Sequence, residues 1–144
     1  MISKVLANQR KEVLAECFRA GAARAKDLSA PVVASVTQSV QWDASPLATF
    51  AAMRRPGLRR TLWGQPGQGF WLAAMGSAVN LSYNGLDALG EVARTHRPVL
   101  GAAVIHGKGP RGTGPVFLGG FRYDPTATRD SVWEGFPDAS LELP

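Results

Sequence analysis

The chain has 144 residues, 45 % hydrophobic and only 19 % charged, enough for one domain of ordinary size with a core of its own. Its formal charge of +5 comes without a clustered basic face. Arg54-Arg55 and Arg59-Arg60 are split by Pro56-Gly57, the pattern of a solvated helix end, and this argues against a nucleic-acid partner. The single cysteine, Cys17, excludes an internal disulfide and a thiolate metal cluster. No window nears the ~20 apolar residues of a membrane span. Lys4, Arg10, Lys11 and Glu12 leave no apolar run for a secretory signal, so the cytoplasm is the expected compartment.

The spacing predicts a helix from Ile2 to about Leu28, with Leu6, Val13, Leu14, Cys17 and Phe18 on one stripe and Ser29 with Pro31 ending it. Val32 to Val40, β-branched and partly alternating, reads as a strand. Asp43 and Ser45 before Pro46 mark a helix start, because proline fits the first helical position, where its missing donor is not needed. That short helix runs through Leu47, Phe50 and Met53 to Pro56-Gly57. A hairpin follows, Arg60–Trp63 and Phe70–Met75 around Gln65–Gly69, and the alternation of Val79, Leu81 and Tyr83 continues its second arm past Gly76. Leu86 to about Thr95 is a helix that Pro98 should not let continue. Val99–Ile105 fits strand or helix, Gly107–Pro115 is a glycine-rich loop, and Val116–Tyr123 is a strand. At Leu141–Pro144 another strand opens, whose ladder would need neighbours, and this points to a fold with its second half absent. The class is α+β, antiparallel strands with flanking helices.

No residues assemble a catalytic constellation. Gly107-Lys108-Gly109-Pro110-Arg111-Gly112 matches GxGxxG, but a dinucleotide loop must open a helix, and here Pro110 intrudes and a strand comes next. His96 and His106 lack a partner at metal-ligand spacing, and Cys17 lacks a local base. Asp124, Asp130, Glu134 and Asp138 could pair or hold a divalent ion, but each reads as structural, with Asp124 before Pro125 capping a turn. Trp42, Trp63, Trp71 and Trp133 read as core or hairpin packing. No catalytic, cofactor-binding or metal-binding residue is assigned.

From about Val32 onward, an ordered series of motifs resembles the N-terminal half of isochorismate synthases, within the chorismate-utilising enzymes. The series runs through Val33-Ala34-Ser35-Val36-Thr37, Pro46-Leu47-Ala48-Thr49-Phe50 and Trp63-Gly64-Gln65-Pro66. It closes with Gly119-Gly120-Phe121-Arg122-Tyr123-Asp124-Pro125 and Trp133-x-Gly135-Phe136-Pro137. Gly64 stands where the family usually has Glu, and Arg122-Tyr123 where it has Ala-Phe, so the Arg122 face should be solvated or partnered.

The resemblance implies a partial fold of the anthranilate and aminodeoxychorismate synthase type. It also implies a magnesium-dependent parent enzyme that isomerises chorismate to isochorismate by adding water and losing a hydroxyl. In the family the lysine, glutamate and metal carboxylates of that reaction lie in the half that follows, and Lys108 is not the family lysine. The expected organisation is an N-terminal helix over residues 1–30 and an incomplete chorismate-utilising domain over 31–144. The alternatives are a free-standing binding module, or part of a salicylate, anthranilate or aminodeoxychorismate synthase. Menaquinone and siderophore pathways fit equally, and the residues set no oligomeric state.

Overall fold

The computed structural model describes residues 2–144, with side chains from residue 10 onward. Its elements are three helices, α1 (Ile2–Leu28), α2 (Pro46–Ala52) and α3 (Ala88–Ala102), and seven strands. The strands are β1 (Ala34–Val36), β2 (Arg60–Gln65), β3 (Phe70–Met75), β4 (Val79–Tyr83), β5 (Val104–His106), β6 (Leu118–Phe121) and β7 (Ala139–Leu143). They group into two compact units, one of residues 1–40 with 97–115, the other of 41–96 with 116–144. No helix among the described residues is long and apolar enough to cross a membrane.

In the first unit, α1 packs on β1 and β5. The helix ends in paired bonds from Ser29 N to Lys26 O and from Ala30 N to Ala25 O, with Ser29 left-handed at φ 50°. Cys17 is 1 % exposed, its Sγ 3.6 Å from Ser35 O and 3.8 Å from Val104 O. One helical turn on, Gly21 lets the helix lie close to Ala34, against whose Cβ a side chain would press. The stripe expected at Leu14 and Phe18 is corrected, since these are 44 % and 57 % exposed. Strands of three residues cover only the i, i+4 row through Val13, Cys17, Gly21 and Ala25, and the neighbouring row is left open. Leu6 of that stripe lies outside the described side chains.

The strand expected over Val32–Val40 is shorter, and its pairing is parallel to β5 rather than antiparallel, Ala34 opposite Val104 through Val36 opposite His106. Pairing stops where Thr37 turns its Oγ1 to the Gly114 N–H at 3.1 Å.

In the second unit, Ser45 caps α2 by accepting from Ala48 N, with Pro46 in the first turn, as its residue types dictate. The β2–β3 hairpin forms in the expected place, Arg60 opposite Met75 and Gln65 opposite Phe70. Its second arm does not continue. Gly76 turns away at φ 88° with its N–H on Arg59 O, and Ala78 N then bonds Leu143 O, starting a different sheet.

That sheet has the order β4-β7-β6, all antiparallel. The closing strand is therefore central: β7 finds both its neighbours within the chain, which corrects the expectation of an unpartnered last strand. Ala88 and Val92 of α3 pack on Ala139, with Tyr83 and Leu141 partly buried beside them. The Tyr83 and Thr95 hydroxyls lie 2.8 Å apart. Helix α3 starts at Ala88 rather than Leu86 and runs through Pro98 to Ala102, against expectation. Pro98 occupies an exposed position, where water can serve the carbonyl its ring leaves unpaired.

Candidate functional site

The residues that gather most polar and aromatic chemistry lie in the long connection from β6 to β7. Its geometry begins with the glycine pair. A Cβ on Gly119 would collide with the backbone oxygen of Ser140, whereas one on Gly120 would meet nothing. Glycine at 119 is thus what lets β6 lie against β7 in this register, Gly119 opposite Leu141. Pairing extends one step further, with Arg122 N on Asp138 O at 2.7 Å, and the chain then leaves the sheet.

Two aspartates fold the loop locally. Asp124 Oδ1 accepts from Thr126 N at 2.8 Å, Thr126 Oγ1 at 2.6 Å and Ala127 N at 3.3 Å, the turn expected of Asp before Pro125. These bonds, the Thr126 hydroxyl foremost, hold the Asp124 carboxyl below its ordinary range. Asp130 accepts from Val132 N and starts a 3-10 turn over Ser131–Trp133. Trp133 and Phe136 then meet edge to face, ring centres 5.5 Å apart.

Asp138 ties the loop to the sheet. Its side chain is 8 % exposed, and both oxygens are engaged. Oδ2 accepts from Gly85 N at 2.7 Å, while Oδ1 accepts from Arg122 Nη1 at 3.2 Å and Arg129 Nη2 at 2.5 Å. The Asp138 N–H in turn bonds Asn84 Oδ1 at 3.2 Å. The Gly85 N–H, followed by the Arg129 guanidinium, lowers the Asp138 carboxyl to about 2. Arg122 also reaches the Ala127 carbonyl, so the position flagged as unusual in sequence is partnered.

Between the loop and the end of β6 lies a cleft of about 680 Å³. Its apolar walls are Phe121, Trp133 and Phe136, which stay 47 %, 59 % and 60 % exposed, and Arg122, Arg129 and Asp138 form its polar side. The size is that of a small-molecule site. No histidine, lysine or cysteine lines it, and its titratable groups are Tyr123, the arginines Arg122 and Arg129 and the aspartates Asp124, Asp130 and Asp138.

The other sequence candidates fall elsewhere. The glycine loop follows β5 and leads to β6, with Gly107, Gly112 and Gly114 at positive φ, so no helix terminus faces a phosphate there. His96 packs edge-on against Phe117 with Nδ1 2.9 Å from Val92 O, and His106 ends β5. Among the arginines, Arg60 lies 4.6 Å over Phe50 and bonds its carbonyl, Arg55 reaches Ala52 O, and Arg59 lies 3.8 Å from Glu142. They serve a helix end and a strand rather than a basic groove. The tryptophans are more exposed than expected: Trp63 at 41 % and Trp71 at 37 % lie on a two-stranded hairpin that offers little to cover them, and Trp42, before α2, is 64 % exposed with its indole N–H on Thr49 Oγ1. Glu134 ends the 3-10 turn. Among the described residues no three His, Cys, Asp or Glu side chains gather to hold a metal. The residues present therefore do not fit a magnesium site.

Sequence reasoning missed Asp138 as the organising group and Arg129 as its partner. The available signal was a carboxylate directly before a strand, with two arginines in the preceding loop.

Residues 15–144 match the family described as chorismate binding enzyme. The chain is also 29 % identical over 126 residues to the salicylate biosynthesis isochorismate synthase of Pseudomonas aeruginosa, covering 88 % of this chain and 25 % of that protein. The chain thus spans about a quarter of the length of the curated relative it matches. No solved structure matches it.

Proposed function

This chain belongs to the chorismate-binding enzyme family, and on that premise we propose that it is the N-terminal part of an isochorismate synthase, catalytically incomplete by itself. The observation that carries the reading is the similarity to an isochorismate synthase, aligned over most of this chain but a quarter of that enzyme. That no three His, Cys, Asp or Glu side chains gather among the described residues is consistent with chemistry supplied elsewhere. So are the many large apolar side chains left exposed, such as Phe18, Leu47 and Leu86, against six buried apolar residues among those described.

In this reading the longer polypeptide takes chorismate as substrate in the cytoplasm, and the magnesium its reaction uses is held by residues outside this chain. What the present residues contribute is scaffold: the β4-β7-β6 sheet with α3 on one face, and a loop anchored at Asp138. The 144-residue chain, incubated with chorismate and magnesium, should form no isochorismate, and adding the separately produced remainder of the polypeptide should restore turnover. Isochorismate formation by the 144-residue chain alone would overturn the reading.

A second reading, a non-catalytic binding module, draws support from β7, whose two edges are both paired within the chain. It predicts a surface that leaves an apolar dye unbound, whereas the first predicts a folded chain whose exposed apolar surface binds the dye.

A further inference from the structure

The β2–β3 hairpin leaves the outer edge of β3 open. Gly76 N bonds Arg59 O at 2.9 Å, and the register continues from there with Thr61 opposite Ala74, Trp63 opposite Leu72 and Gln65 opposite Phe70. Hydrogen-bonded pairs alternate along an antiparallel ladder, so Phe70, Leu72 and Ala74 bond to β2, while Trp71, Ala73 and Met75 turn their N–H and C=O groups outward. The sheet ends at β3, and among the described residues these three backbone positions make no hydrogen bond. Their side chains are exposed as well, Trp71 at 37 % and Met75 at 40 %. The Trp71 ring lies over Gly64, towards β2, which leaves the outward edge clear.

The two edges of the hairpin differ in what guards them. The outward edge of β2 begins at Arg60, behind Arg59, and is closed by Pro66. Strand β3 reads Phe-Trp-Leu-Ala-Ala-Met, without charge, proline or bulge, and so carries none of the devices that keep an edge from pairing with another chain.

We propose that β3 pairs antiparallel with β3 of a second copy of this chain, about a two-fold axis at Ala73, giving a four-stranded sheet β2-β3-β3-β2. Only outward-facing residues can exchange bonds, and this axis uses all of them: Trp71 opposite Met75 of the second copy, Ala73 opposite Ala73, and Met75 opposite Trp71. Each of these pairs exchanges two hydrogen bonds, and the absence of charge on β3 means that no like charges meet. Moving the axis to Leu72 would bring in Gly69, whose left-handed φ of 62° ends the strand. The chosen register sets a thioether beside an indole on both sides of the axis. The arrangement closes on itself, because the outermost strands are then the two β2 edges with Arg60 and Pro66. The contact is short, Phe70–Gly76 on each side against the ~20–30 residues a side of a standard interface, so the pair is weak and reversible. It does not depend on the isochorismate synthase reading.

The test is sedimentation velocity of the 144-residue chain over a concentration series, with amide exchange of the ¹⁵N-labelled chain alongside. The mass should rise from one copy towards two with a dissociation constant on the order of 100 µM. Exchange at Trp71, Ala73 and Met75 should slow about threefold between about 50 µM and 1 mM, and that at Leu72 and Ala74, already bonded to β2, should change less. Ala73→Pro removes an N–H that the hairpin does not use, and it should weaken association at least about tenfold through the loss of two bonds at the axis. Ala73→Glu and Ala73→Lys each place like charges opposite one another at an exposed position, so each alone should weaken the pair several-fold and an equal mixture should restore it. A single-copy mass throughout the series, association unchanged in Ala73→Pro, or a Glu/Lys mixture no stronger than either variant would overturn the proposal. So would protection of the three amides that is independent of concentration, or that appears only when the separately produced remainder of the polypeptide is added, since either would assign the edge to a different occupant.

Discussion

Val92 is 2 % exposed at the centre of the contact between α3 and the β4-β7-β6 sheet, against Ala88 and Ala139 with Tyr83 and Leu141 beside them. Val92→Ala removes two methyl groups from that contact. At ~0.8 kcal/mol for each buried carbon the transfer loss is about 1.6 kcal/mol, and a cavity that fails to collapse adds up to about 1 kcal/mol. The expected cost is therefore about 1.5–2.5 kcal/mol. All four tryptophans belong to the second unit, so urea unfolding followed by their fluorescence reports on the unit that Val92 serves. With a urea slope of ~1–2 kcal/mol/M, the midpoint should fall by about 1 M or more with the slope unchanged. Leu47, 65 % exposed on α2, is the control, and Leu47→Ala should move the midpoint by less than half as much. A Val92→Ala cost below about 0.5 kcal/mol, or a larger one for Leu47→Ala, would refute the placement of the core.

The adjacent glycines of β6 should differ sharply. Gly119→Ala meets the Ser140 backbone oxygen and should cost about 1–3 kcal/mol, while Gly120→Ala, in open space, should stay within about 0.5 kcal/mol, both read from the same urea curves. Asp138 has a folded value of about 2 against an ordinary 3.8, so its stabilisation is complete above about pH 4 and is lost as pH falls through 2. The gap in midpoint between the parent chain and Asp138→Asn should accordingly narrow from pH 5 to pH 2, and a gap constant over that window would contradict the assigned role. For the helix cap, Ser45→Ala removes the acceptor of Ala48 N and should lower the α2 contribution by about 1 kcal/mol, seen as faster amide exchange at Ala48 and Thr49.

How much of this was legible in the sequence depended on how local the determining forces are. Ser45-Pro46 and the β2–β3 hairpin are set by caps and turns, and they lie where the residue types put them. Helix α1 has the expected bounds, but its buried row was misassigned, because the row depends on the width of the strands that cover it. The alternation of Val79, Leu81 and Tyr83 identified a strand correctly but not its partner. Partner choice turned on Gly76 at positive φ and on β7, sixty residues away in sequence. Pro98 inside α3 escaped the helix-breaking rule by lying at an exposed position. In the candidate site, the Asp124 turn was readable from a dipeptide, whereas the Asp138 anchor joins Gly85, Arg122 and Arg129 and exists only once the sheet has formed. The chemistry-bearing residue types misled where they were most conspicuous: neither the glycine loop nor either histidine lines the cleft.

The proposal that this chain is part of an isochorismate synthase is tested most directly by the product the longer polypeptide makes. Chorismate and magnesium should be incubated with the polypeptide encoded by the whole reading frame, and the products separated by chromatography. The account predicts isochorismate from that polypeptide and none from the 144-residue chain alone. Salicylate, anthranilate or aminodeoxychorismate as the principal product, or no consumption of chorismate by the longer polypeptide, would contradict it.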